Sequence, residues 1–320
     1  MKRFLLAVAL VTAAIVGLAQ AQLKFNPNQV AILRWYQVNQ AASFPVPGFG
    51  LAFDGANVWA TVGSSDSVGQ VTKLRASDGT ILGYFSVGYS PKAVAFDGAN
   101  IWVANNGADT VIKLRASDGA CVGNCTVPVG SEPSGVVFDG ANIWVTNAGS
   151  NNVTKLRASD GTVLDTFPVG TQPEGVAFDG TNIWIANELS NSVTKLRASD
   201  GKLLGTFLVL SAPVTAAFDG ASIWTANVGS NNVTKLRARD GTVLGTFPVG
   251  HEPVAVTCDG ANIWVANKGS NNVTKLQASN GINLGTFPVA GRPVAVAFDG
   301  ANIWVAILGN GTTFDSISKL

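Results

Sequence analysis

One eight-residue phrase constrains this chain more than any other feature. Phe138-Asp139-Gly140-Ala141-Asn142-Ile143-Trp144-Val145 occurs, with small changes, seven times. Its aspartate falls at Asp54, Asp97, Asp139, Asp179, Asp219, Asp259 and Asp299, at intervals of 43, 42, 40, 40, 40 and 40 residues. A fixed period of about 20–50 residues marks a solenoid, a propeller or an array, whose units bury their apolar faces only against their neighbours.

A single unit, residues 133 to 170, contains four short apolar runs punctuated by turn signals. Gly135 to Phe138 leads into Asp139-Gly140. Asn142 to Thr146 leads into a polar loop, Asn147 to Asn152. Val153 to Arg157 leads into Ser159-Asp160-Gly161, and Thr162 to Val169 ends the unit. Asp-Gly between β-formers favours a hairpin, because glycine accepts positive φ and aspartate bonds the nearby backbone. No run has helical length or period. The expected fold is therefore all-β: a seven-bladed β-propeller of four-stranded antiparallel blades over residues 42–320. Each blade is covered on both faces, so Ile143 and Val145 are expected on one face and Trp144 on the other. Trp59, Trp102, Trp144, Trp184, Trp224, Trp264 and Trp304 read as filler between blades. The repeated Asp, Asn and Lys-Leu-Arg words read as ties between turns and strands.

The ends suggest how the ring closes. Ile317 to Leu320 matches the third-strand word of the repeat, and no fourth strand follows it. Ala42 to Val46 matches Asp165 to Val169 and can supply that fourth strand, leaving no loose edge. Val30 to Arg34 also resembles the third-strand word, so a second candidate for that place exists. The C-terminal one is expected in the ring, with Val30 to Tyr36 outside it or as an extra edge strand.

Residues 1–21 read as a secretory signal peptide: Lys2 and Arg3, an apolar run from Phe4 to Ala19, and a small-x-small site at Ala19-Gln20-Ala21. The alternative is an uncleaved anchor. Residues 22–41 are expected to be a linker or the extra strand. Export to the periplasm or the medium permits disulfides. Cys121 and Cys125 fall in the 42-residue repeat, whose two extra residues lie in the same stretch, so a disulfide closing a small hairpin loop is expected there; two free thiols are the alternative. Cys258 replaces the phenylalanine of the repeat phrase and reads as a buried small hydrophobe.

The phrases GVAFDGTNIWIAN and VTKLRARDGTVLGTFPVG resemble the YVTN/NHL-type repeats of bacterial β-propellers, across residues 42 to 320. The resemblance implies that each repeat's first strand lines a central channel and that ligands sit at one of its mouths. The superfamily includes interaction modules, a DNA-binding propeller and the streptogramin lyases. The lyases need a cluster of His and Glu around a metal, and a single histidine departs from that pattern.

Seven internal copies show where this chain varies. The loop before each first strand changes (Tyr89-Ser90, Ser131-Glu132, Thr171-Gln172, Ser211-Ala212, His251-Glu252, Gly291-Arg292). So does the loop after each second strand (Asn106, Ala148, Glu188-Leu189, Val228, Lys268, Leu308). Meander geometry puts both loops on one face, and function tends to sit on varied loops held by a rigid scaffold. Candidate ligand-binding residues are His251, Glu252, Glu132, Glu174, Glu188, Lys92, Lys268 and Arg292. No metal site, no cofactor and no serine-hydrolase or phosphate-loop motif is read from the sequence.

A net charge of +1 offers no basic excess for nucleic acid. The expected function is a monomeric, non-enzymatic exported scaffold binding a protein, peptide or glycan of the cell envelope. One alternative is a lyase or lactone hydrolase using His251 and Glu252, with a divalent metal. Another is single-stranded DNA binding.

Overall fold

The structure is a computed structural model in which residues 42–46, 48–63, 68–309 and 315–320 are described. The expected signal peptide, the 22–41 segment and its Val30–Arg34 word lie outside the described residues.

Among the described residues, the strands form seven four-stranded antiparallel sheets. Blade 3 shows the pattern: Pro133–Phe138 innermost, then Asn142–Asn147, Asn152–Arg157 and Val163–Pro168. Blades 1 to 6 begin at Leu51, Pro91, Pro133, Pro173, Pro213 and Pro253, and blade 7 at Arg292. Each innermost strand lies beside those of its two neighbours, and the circle closes between Leu51–Phe53 and Arg292–Phe298. Blade 7 takes Arg292–Phe298, Ile303–Leu308 and Ser316–Lys319 from the C-terminal end and Ala42–Phe44 from the N-terminal end. Ser43 pairs with Ser318 and Phe44 with Ile317, so the C-terminal word occupies the third-strand place.

The tryptophan holds blade to blade. In blade 3, Trp144 pairs with Lys155 and faces blade 4, packing with Val153 against Ile183, Ile185 and Leu196. Ile143 and Val145 face the other way, against Trp102 and Val111 of blade 2. Six of the seven tryptophans of the repeat phrase are wholly buried, and Trp264 is 8% exposed. Each of these seven indole N–H groups donates to the phrase aspartate of its own blade at 2.7–2.8 Å. That carboxylate also accepts the backbone N–H groups two and three residues on, as Asp139 does from Ala141 and Asn142. It thus fixes the turn and the ring together.

The third-strand lysine clips the next blade. Its Nζ lies 4.7–5.4 Å from the centroid of its own blade's tryptophan ring, a cation–π arrangement. In six blades it also donates to an alanine carbonyl one blade on, at 2.6–2.9 Å. The sixth of these is Lys319 to Ala76, the clip that joins blade 7 to blade 1. A fourth-strand phenylalanine covers the tryptophan in six blades. The next blade's Ser-Asp-Gly turn rests on that phenylalanine: at Gly201, φ is +72°, and a Cβ would collide with the ring of Phe167. Both the backbone and the neighbouring blade therefore demand glycine there.

Cys121 and Cys125 form the expected disulfide. Its place differs from a hairpin loop. Both cysteines lie in the outermost strand, Cys121–Pro128, where Cys121 pairs with Leu114 and Thr126 with Ile112. In blade 3 the same two pairings are made by Val163 and Thr166. The two extra residues are thus absorbed by enlarging a bulge that this strand already carries, and the turn at Ser117-Asp118-Gly119 is left unaltered. Cys258 is half-buried rather than buried, against the cluster between blades 5 and 6. It ends an innermost strand, where the partly buried Phe138, Phe178 and Phe218 end theirs.

The phrase aspartates give stability a sign in pH. Burial pushes Asp54, Asp97, Asp259 and Asp299 upward, but the donors from Trp, Asn and the backbone outweigh it and leave each below the usual 3.8. A carboxylate depressed by folding stabilises above its unfolded pKa, and that contribution is lost as pH falls through the folded value. The melting temperature should therefore hold level from pH 7 to about 5 and fall progressively below about pH 4. A melting temperature unchanged down to pH 2.5 would contradict the role given to these turns.

Candidate functional site

The two varied loops lie on one face and are joined through their backbones. Ala148 N–H donates to Glu132 O, Glu188 N–H to Gln172 O and Lys268 N–H to Glu252 O, at 2.9–3.0 Å. This face surrounds one mouth of the central channel. The channel encloses a cavity of about 490 Å³ lined by residues of all seven blades.

A β-bulge decides which side chains enter the channel. The pairing of the innermost strand slips just after its first proline, between Pro91 and Ala93, Pro133 and Gly135, Pro173 and Val176, and at the same place in blades 5 to 7. The residue after the proline is left out of the ladder, and bulges commonly re-aim a side chain in this way. In blades 2 to 7 that residue is Lys92, Ser134, Glu174, Val214, Val254 and Val294, and Phe49 holds the matching place in blade 1. All seven line the cavity. One arc of the wall, blades 2 to 4, is therefore polar, and the other, from blade 5 round to blade 1, is apolar. The wall below is built from small residues because innermost strands approach closely: a Cβ on Gly175 would collide with the Thr215 backbone.

Lys92 and Glu174 reach across the polar arc, from blade 2 to blade 4, and meet as an ion pair at 2.6 Å. Thr146 Oγ1 donates to Glu174 O at 2.6 Å and Ser134 Oγ to Pro173 O at 2.8 Å, which seats blade 4's bulge against blade 3. Glu188 adds a second carboxylate at the mouth, accepting from Gln172 Nε2 at 2.6 Å. Burial pushes Glu188 above the usual carboxylate value and the neighbouring Glu174 adds to this, while Gln172 and Lys92 offset part of it. Lys268 and Leu308 complete the mouth over the apolar arc.

Four of the eight candidate residues are thus brought together at the channel: Lys92, Glu174, Glu188 and Lys268. The other four lie on the loops but do not line it. His251 is exposed; its N–H donates to Ser270 Oγ and its carbonyl accepts from Gly269. Glu252 and Glu132 stand at φ +50° and +53°, with their N–H groups bonded to Asn231 and Asp109. Arg292 donates to Gly309 O at 3.3 Å. The residues that sequence reasoning missed are Phe49, Ser134, Val214, Val254 and Val294; Leu308, read only as a varied loop position, also lines the cavity. The signal was present, since the position after the proline varies from Lys to Ser to Glu to Val among the copies, two residues beyond the varied loops. Among the described residues, no group of three or more His, Cys, Asp or Glu is placed to hold a metal ion. A second cavity of about 360 Å³, between blades 2 and 3, is lined by Asp97 and Lys113. Both are already engaged in holding the scaffold.

No family model matches the chain. No curated protein matches it either. Solved structures do. A streptogramin B lyase is 19% identical with a TM-score of 0.70, over 88% of this chain and 96% of that one. Virginiamycin B lyase from Staphylococcus aureus is 18% identical with a TM-score of 0.72, over 88% and 98%. Kuenenia stuttgartiensis hydrazine synthase is 17% identical with a TM-score of 0.71, over 88% and 97%. Proteins named for such different activities match almost equally well, so the likeness speaks to fold alone. The chain is a seven-bladed β-propeller, structurally similar to the streptogramin B and virginiamycin B lyases at low identity.

Proposed function

We propose that this chain is an exported, non-enzymatic propeller of the YVTN/NHL type. It binds a protein, peptide or glycan of the cell envelope through the varied face around the channel mouth. The observation that carries this reading is the bulged ring. At an otherwise monotonous scaffold's mouth, one position in each of blades 2 to 7 is freed from the ladder, lines a cavity and is varied in charge and size. Most polar groups there are already matched to one another, as in Lys92 with Glu174 and Gln172 with Glu188. A preformed, matched surface suits recognition.

The alternative, a metal-assisted lyase or lactone hydrolase, draws on the fold likeness and on the raised Glu188 carboxyl, since perturbed groups gather at catalytic sites. His251, the base it would use with Glu252, stands outside the cavity wall.

The test uses residues that the protein itself places at equivalent positions. Lys92→Val and Glu174→Val copy blade 5, and Glu188→Ala and Lys268→Ala copy blade 3. A tagged protein carrying all four should lose the partners that the unaltered protein captures from an envelope fraction. A protein altered on the opposite face, at Arg75 and Arg157, should keep them. Equal capture by all three would place the site elsewhere.

A further inference from the structure

The charges at the mouth are not evenly matched. Beside blades 2 and 4, two carboxylates, Glu174 and Glu188, stand with one ammonium, Lys92. Lys268 stands apart on blade 6, and among the described residues it makes no ion pair. Blades 2 and 4 are two steps apart in the ring, and Lys92 and Glu174 close that span directly. Glu188 and Lys268, on blades 4 and 6, are also two steps apart, yet they form no ion pair. Val214 of blade 5 lies between them, Val254 stands on the same blade as Lys268, and Val294 continues the apolar arc on blade 7.

The mouth is therefore a dipole, with surplus negative charge at one side, positive charge at the other and an aliphatic wall between. We infer that the open span takes a short apolar peptide in its zwitterionic form. Its terminal ammonium meets Glu188, its carboxylate meets Lys268, and its aliphatic side chains lie against the three valines. This inference rests on the binding reading above and names the ligand class for that site. The dimensions agree: about 490 Å³ lies within the usual range of about 300–1,000 Å³ for small-ligand pockets. Gln172 holds only one oxygen of Glu188, at 2.6 Å, which leaves the other to accept from an ammonium. The incoming positive charge would also relieve the burial and the Glu174 repulsion that raise Glu188. A neutral glycan would use neither pole, and a polyanion would be repelled by the two carboxylates.

The probe is the tripeptide Leu-Ala-Leu, titrated calorimetrically at pH 7 beside its N-acetyl and C-amide derivatives. The free peptide should bind saturably at one site. Acetylation and amidation should each weaken it about tenfold or more, as expected for loss of a charge-assisted hydrogen bond. Lys268→Ala should erase the preference for carboxylate over amide, and Glu188→Gln the preference for amine over acetamide. Glu132→Gln, off the mouth, should change neither. Absence of saturable binding, or preferences that survive both changes, would overturn the inference. If the four-residue protein still loses its envelope partners, the mouth stands as the site and only the ligand class falls. If capture is unaffected too, both readings fall.

Discussion

Replacing Trp144 with alanine should destabilise the protein by about 4 kcal/mol or more in urea denaturation. Truncating a buried tryptophan costs about 3–5 kcal/mol through lost burial and the cavity left behind. Three further losses push towards the upper end. The ring of Phe167, 5.5 Å away, loses its partner. Asp139 loses a donor at 2.7 Å. Lys155 keeps its two carbonyl contacts in blade 4 but loses the aromatic face beneath its ammonium. Trp144→Phe separates these effects: it keeps most of the packing and should cost about 1–3 kcal/mol, the range for leaving a buried polar group unmatched. Trp264→Ala should cost less than Trp144→Ala. Trp264 is already 8% exposed, and Lys275 above it makes no carbonyl clip among the described residues. A cost below about 2 kcal/mol at Trp144 would mean that the blades are held by something other than this ring.

The second large effect is expected at the seam. Deleting residues 317 to 320 removes most of the strand to which Ala42–Phe44 is paired among the described residues. The N-terminal strand is then held by Phe44 against Trp304 and by Val46 in the cluster between blades 7 and 1. The deletion also removes the wholly buried Ile317 and the Lys319 clip to Ala76. Losing one such aliphatic side chain costs about 2–5 kcal/mol, before the opened sheet edge is counted. For a chain of this size each kcal/mol shifts the melting temperature by about 2–4 °C, so a fall of about 10 °C or more is expected. An unchanged melt would mean that the ring does not depend on this seam.

Most of the scaffold was legible because each repeat is a separate statement of the same local rules. Seven copies of an Asp-Gly turn between β-formers leave little doubt about strand positions, and alternation around Trp144 assigns the two faces. The partner of the indole N–H was not legible. Asp139 reads as a turn residue, and only the folded hairpin brings its second oxygen within 2.7 Å of a ring five residues on. The disulfide pairing was legible from the two-residue excess in its repeat. Its location was not, because length alone cannot distinguish a longer turn from a larger bulge.

The channel wall was half legible, for a physical reason. Charged residues near the start of a strand invite a functional reading, so Lys92 and Glu174 stood out. Val214, Val254 and Val294 occupy the same bulge, but valine at a strand start looks like ordinary core. His251 and Glu252 attracted notice by their chemistry, yet they precede the bulge, where the loop faces the rim rather than the cavity. The recurring proline and the varied residue after it mark the position, but that the strand bulges there shows only in the pairing register.

The separation of a repeated scaffold from a varied mouth can be tested on one protein, the variant carrying Lys92→Val, Glu174→Val, Glu188→Ala and Lys268→Ala. Lys92 is 44% and Glu174 13% exposed, and because both partners become valine neither charge is left unpaired, so the exchange should cost no more than about 1 kcal/mol. Thermal melting and envelope capture measured on the same preparation should show a melt within about 4 °C of the unaltered protein and capture abolished. Retained capture, or a melt lowered by about 10 °C or more, would contradict that separation.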